Sequence, residues 1–178
     1  MDLKGKKVLF ILSSRNFRDE EFLEPKKILE NLGVNITIVN ETGRESVGML
    51  GTRVEPNLNL DKVIVNDYDA IIFVGGSGST VYWNNQKAMN IIKEAKIKGK
   101  VVAAICMATG TLAKAGILKG KEATGWDDAE EVIVQNGGKY TAEDIVINGR
   151  VITAYGPKQA NKFGLEIARL LTKGNLED

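Results

Sequence analysis

No histidine occurs in the 178 residues, and that absence removes every Cys-His, Ser-His and His-metal mechanism the chain could build from its own side chains. There is one cysteine, so an internal disulfide is excluded and a cytoplasmic location is expected. Charge is balanced, 24 Lys and Arg against 23 Asp and Glu. That leaves no electrostatic footprint for nucleic acid or an anionic membrane, and neither is expected as a partner. No apolar run reaches membrane-spanning length. The stretch Val8 to Ser14 follows several lysines, but its apolar run is too short for a secretory signal and meets Arg15, Arg18 and Asp19 without a small-residue cleavage site. It reads as a buried strand. Internal repeats and low-complexity segments are also missing, and residues 1–178 are expected to form one domain.

What is present alternates between apolar strands and amphipathic helices. Lys7 to Ser13 is a strand pattern, followed by a helix pattern over Glu20 to Asn31 with Gly33 as its stop and a second strand over Val34 to Val39. Glycines at 43, 48 and 51 suggest a hairpin or irregular excursion before the sheet resumes at Ala70 to Val74. Helical spacing over Gln86 to Lys98, a strand over Val101 to Ile105, a helix over Ala108 to Ala115 and a short strand over Glu122 to Gly125 come next. Asp128 with Glu131 has capping-box spacing for a helix stopping at Asn136. Asn148-Gly149 between two apolar segments predicts a two-residue hairpin turn, and Pro157 precedes a final helix, roughly Lys158 to Leu171. The pattern predicts a doubly wound, flavodoxin-like α/β sandwich with a mostly parallel central sheet, whose ligands bind at the carboxyl ends of the strands.

Three segments converge at that end of the sheet: Asn16 to Glu21, Gly75 to Gly78, and the turn at Cys106. A cysteine between a parallel strand and a helix sits on a tight turn near helix N–H groups, which would favour the thiolate and lower its pKa. Lone cysteines are also common core residues, and both readings stand on the sequence alone. Gly75-Gly76 is either a close-approach loop whose N–H groups meet an oxyanion or a plain tight turn. It matches neither a Walker A motif nor the dinucleotide fingerprint. The carboxylates Asp19, Glu20, Glu21 and Glu24 have the ordinary reading of a solvated helix start, with Glu21 the candidate exception. Trp126 is either a packed or rim aromatic or a substrate-facing wall, and Met107 reads as a core filler with a functional backbone N–H. Thr109 and Tyr155 are candidates to line the pocket.

Four motifs in order carry a resemblance: Phe17 to Pro25, with Glu21 four residues before Pro25; Phe73 to Gly76; Ala103 to Cys106; and Tyr155 to Pro157. With them the chain resembles the PfpI and DJ-one superfamily, intracellular protease-like and deglycase-like proteins of class I glutamine amidotransferase-like fold. The resemblance implies that Cys106 is the nucleophile, Glu21 the acid beside its sulfur, and the N–H groups of Gly76 and Met107 the oxyanion hole, with Gly75, Trp126 and Tyr155 around the pocket. It implies neither metal nor organic cofactor, and a homo-oligomer, dimer or higher. An ionised carboxylate would repel a thiolate, so Glu21 must be largely protonated and titrate as a pair with Cys106. Met107 stands where protease-like members carry a histidine, and Trp126 where glyoxal-acting members often carry one. The leading expectation is a cysteine-dependent glyoxalase or deglycase acting on a small reactive carbonyl or glycated substrate. The alternatives are an oxidative-stress sensor or chaperone-like stress protein using Cys106 oxidation, an intracellular cysteine peptidase, and an inactive relative.

Overall fold

The computed structural model describes residues 1–174. In chain order the elements begin with β1 (Lys7–Ile11), β2 (Arg15–Phe17), α1 (Asp19–Asn31), β3 (Asn35–Asn40), β4 (Ser46–Gly48), β5 (Arg53–Val54) and β6 (Leu58–Asn59). They continue with β7 (Ala70–Phe73), α2 (Gln86–Ile97), β8 (Val101–Ile105), α3 (Thr109–Lys114), β9 (Glu122–Ala123), α4 (Glu130–Gln135), β10 (Lys139–Tyr140), β11 (Ile145–Asn148), β12 (Val151–Ala154) and α5 (Ala160–Thr172). Seven strands form the main sheet in the order β11-β12-β8-β7-β1-β3-β6. Every pairing in it is parallel except the antiparallel edge pair β11 and β12.

The sheet carries an apolar side chain on both faces at nearly every position, as a sheet covered by helices on both sides must. Val8, Phe10, Ile72, Ala103 and Ile105 point into one core with Phe22, Leu29, Phe163 and Ile167 of α1 and α5. Leu9, Ile11, Ile71, Phe73 and Ala104 point into the other with Met89, Ile92, Leu112 and Ile133 of α2, α3 and α4. The period-two alternation of a pleated strand sorts successive residues between the two layers.

Three local expectations are corrected. The β11–β12 hairpin pairs Asn148 with Val151, so its loop is Gly149-Arg150, one residue later than the Asn-Gly reading, with Gly149 taking the positive φ of 59°. No capping box forms at Asp128, because the chain enters α4 through a 3-10 turn over Asp127–Ala129 and no side chain caps the helix. The segment after β1 is not merely a loop: β2 pairs with β4 of the β4–β5 hairpin in a small second sheet. No helix among the described residues is long and apolar enough to cross a membrane.

Candidate active site

β8 ends at Ile105 in extended conformation, and the next residue, Cys106, turns to φ 62° before a 3-10 turn, Cys106–Ala108, leads into α3. Positive φ at a non-glycine costs about 1–3 kcal/mol and persists where the surroundings enforce it. Here the Thr109 hydroxyl donates to the Cys106 carbonyl at 2.9 Å and the Trp126 N–H donates to the same oxygen at 3.3 Å. The Trp83 indole N–H donates to the Met107 carbonyl at 3.1 Å. The strained turn of a nucleophile elbow is therefore present.

Glu21 reaches the sulfur from the first turn of α1. Phe22 beside it is locked edge-on between Phe10 and Phe17, at ring-centroid distances of 5.4 and 5.8 Å. Pro25 has no N–H to offer the Glu21 carbonyl four residues earlier, which loosens the helix at this turn. The Glu21 carboxyl is fully buried, at 0% exposure, and neither oxygen has a well-formed hydrogen-bond partner; the Cys106 sulfur and the Gly75 N–H are its polar neighbours. Gly75 is where these groups meet: a Cβ built there would collide with Glu21 Oε1 and lie 2.6 Å from the Ile105 carbonyl and 2.7 Å from Cys106 Cβ. Gly76, at φ 105°, is pressed against the backbone of Asn16 to Arg18, and the Arg18 N–H donates to the Gly75 carbonyl at 2.9 Å. These contacts tie the loops after β1 and β7 to the elbow after β8.

Burial dominates the electrostatics. Desolvation pushes Glu21 up to about 8, against the lowering pull of the neighbouring Cys106 thiol and the Arg18 charge. Desolvation also raises the Cys106 thiol, and the Glu21 charge raises it further; the Met107 and Gly76 N–H groups that face the sulfur pull it down by less. The acidified thiol expected from a helix N-terminus is thus corrected: α3 is only six residues long, and its weak dipole loses to burial. At neutral pH the pair holds both protons.

Cys106, a residue 7% exposed, borders a cavity of about 260 Å³ lined also by Arg18, Met49, Gly76, Met107 and Trp126, among others. Gly75, expected around the pocket, does not line it and is packed instead against Glu21, Ile105 and Cys106. Met107 is half-buried and lines the cavity, which the core-filler reading did not anticipate. Thr109 is fully buried and holds the elbow, and Tyr155 belongs to the adjoining cavity, touching the Trp126 ring at 5.3 Å. Sequence reasoning missed Arg18, whose guanidinium pairs with Glu20 at 2.9 Å beside the cavity, and Trp83 behind the elbow. Arg18's place in the first strand-end loop was the available signal; nothing local marked Trp83. Among the described residues no three His, Cys, Asp or Glu side chains gather as a metal ion would require.

The model of the DJ-1/PfpI family matches residues 6–170. The uncharacterized protein MJ0967 of Methanocaldococcus jannaschii is 42% identical over 98% of this chain and 86% of its own length. Deglycase PH1704 of Pyrococcus horikoshii is 28% identical over 93% of this chain and 99% of its own. Among solved structures, a ThiJ/PfpI domain protein from Brachyspira murdochii superposes with a TM-score of 0.92 at 28% identity, covering 96% of this chain and 98% of that one.

Proposed function

The chain belongs to the DJ-1/PfpI family, and from that premise we propose that it is a cytoplasmic, cysteine-dependent enzyme of glyoxalase or deglycase type, acting on small reactive carbonyls or their adducts with Cys106 and Glu21. The observation that carries the reading is a fully buried carboxyl held near neutral proton affinity directly beside a thiol on a strained elbow. Loss of one proton from the pair leaves an anion shared by carboxyl and sulfur, and Glu21 takes the thiol proton as substrate approaches.

The thiolate adds to the aldehyde carbon of a 2-oxoaldehyde, forming a C–S bond, and the N–H groups of Gly76 and Met107 hold the resulting oxyanion. Glu21 returns its proton to that oxygen, then removes the hydrogen from the hemithioacetal carbon as a proton and delivers it to the neighbouring carbonyl carbon, while the hydroxyl proton passes from the first oxygen to the second, so that the C–O bond on the sulfur-bearing carbon becomes the carbonyl and the other the hydroxyl. The product is a 2-hydroxy thioester, which water cleaves to the 2-hydroxy acid and free thiol. No external oxidant or reductant enters. A cavity of about 260 Å³ is below the usual range for drug-sized ligands and suits a substrate of a few heavy atoms. The buried, unacidified thiol gives the redox-sensor reading less support, since oxidation follows thiolate character and exposure. Met107, having no proton to shuttle, gives a peptidase no base.

Methylglyoxal conversion to lactate tests the reading. Cys106→Ala should abolish it, and Glu21→Gln should lower kcat/KM about 100- to 10,000-fold. Wild-type kcat/KM should rise with pH through about 8 as the pair loses its first proton. Equal turnover in all three proteins, or none in any, would remove the proposal. A homo-oligomer, dimer or higher, is part of it and is read by light scattering.

A further inference from the structure

Two N–H groups face the Cys106 sulfur, those of Gly76 and Met107, and each lies between two carbonyls that other groups hold. The carbonyl and N–H of a trans peptide point in opposite directions, so a donor that holds the oxygen also sets the aim of the N–H. The carbonyl before Gly76 accepts the Arg18 N–H at 2.9 Å, and its own carbonyl accepts the Ser79 N–H at 3.1 Å and the Ser79 hydroxyl at 2.8 Å. The carbonyl before Met107, that of Cys106, accepts from Thr109 and Trp126, and its own accepts the Trp83 indole N–H at 3.1 Å. With both flanking peptide planes fixed, neither residue is free to turn its N–H away from the sulfur.

Trp83 differs from the other clamps in where it comes from. It follows a 3-10 turn, Ser77–Tyr82, that begins at Gly76 itself. Ser79 ties the start of that turn to the Gly76 carbonyl, and the Tyr82 hydroxyl ties its end to the Leu12 carbonyl, just past β1, at 2.6 Å. The next side chain, Trp83, then crosses to the elbow. Its indole is seated against Gly110 of α3, where an added Cβ would lie 2.5 Å from Cε2 and 2.7 Å from Nε1 of the ring. A half-buried indole can leave its N–H to water, but here that N–H is spent on the Met107 carbonyl. One short segment therefore braces the two donors against each other.

We propose that Trp83 is a positioning residue for the oxyanion hole: by holding the Met107 carbonyl, its indole N–H aims the Met107 N–H at the sulfur and sets its spacing from the Gly76 N–H. The consequence for turnover rests on the function proposed above; the aim of the N–H does not. Amide NMR across pH and methylglyoxal kinetics separate the two. In wild type the amide protons of Gly76 and Met107 shift as the Glu21–Cys106 pair loses its first proton, near pH 8. Trp83→Phe keeps an aromatic ring beside Gly110 and removes the donor. Met107 then loses most of that response, while Gly76, whose own clamps are intact, keeps it and shows that the fold and the pair survive. Gly110→Ala, which leaves Trp83 in the chain and pushes its indole aside, gives the same pattern. In turnover both variants lower kcat about 10- to 100-fold with little change in KM, because the N–H meets full charge only as the oxyanion forms. An undiminished Met107 response in both variants, equal losses at Gly76 and Met107, no response of either amide in wild type, or an unchanged kcat overturns the proposal. The expected NMR pattern in a protein that turns over no carbonyl leaves the role of Trp83 standing and removes the catalytic reading.

Discussion

Glu21 keeps its proton at neutral pH because nothing replaces the water that its carboxylate loses: the group is at 0% exposure, and neither oxygen has a well-formed partner. Its folded value, about 8, lies above the ordinary one, so between the two the folded state binds a proton that the unfolded chain has released. Stability therefore falls as pH rises across that window. Glu21→Gln removes the term: thermal unfolding midpoints of variant and wild type should coincide near pH 4, and the variant should be the more stable above pH 8, by up to about 5 kcal/mol. Gly75→Ala should be destructive at any pH, because its methyl has only fixed backbone, Cys106 Cβ and the Glu21 carboxyl to displace. Activity and melting temperature measured together would show both falling. Cys106 and Glu21 were legible in the sequence because each lies in a strand-end motif. The direction of the thiol shift was not, since burial depends on Gly75, Ile105 and Glu21 meeting in space.

The β4–β5 hairpin is held over the site by its pairing with β2 and, at its turn, by one side chain. Asp19 opens α1 at 3% exposure and accepts N–H bonds from Leu50 at 2.8 Å and Thr52 at 2.9 Å, so the solvated helix-start reading fails for this residue. Burial pulls its proton affinity up, but the hydrogen bonds from Thr52 and Leu50 outweigh that and leave it below the usual carboxylate range. The depressed value means that its stabilisation is complete above the unfolded value and is lost as pH falls through the folded one. Asp19→Asn should cost about 1–3 kcal/mol at neutral pH, flatten the acid limb of the stability profile, and speed hydrogen exchange at Leu50 and Thr52. At α2, Asn85 accepts from the Ala88 N–H, and Asn85→Ala should cost about 1 kcal/mol in chemical denaturation. Strand and helix positions were readable from periodicity. The Gly149-Arg150 turn register and the 3-10 entry to α4 were not, because one residue of slip is decided by how β11 and α4 pack.

The centre of the molecule is a mostly parallel sheet between two apolar layers, and that much follows from apolar strands alternating with amphipathic helices. Its weak points lie at the strand carboxyl ends, where the strained Cys106, the crowded Gly75 and the buried Glu21 are held in place by the packing behind them. Phe163 of α5 lies in the layer that also contains Phe22 and Cys106, and Phe163→Ala should cost about 3–5 kcal/mol in global stability. The account turns on a neutral carboxylic acid beside a thiol. Carboxyl carbon NMR of glutamate-labelled protein measures it directly: one signal should titrate near pH 8, apart from the other glutamates, and should disappear in Glu21→Gln. If every glutamate signal titrates below pH 6, the carboxyl is an ordinary anion and the account is contradicted.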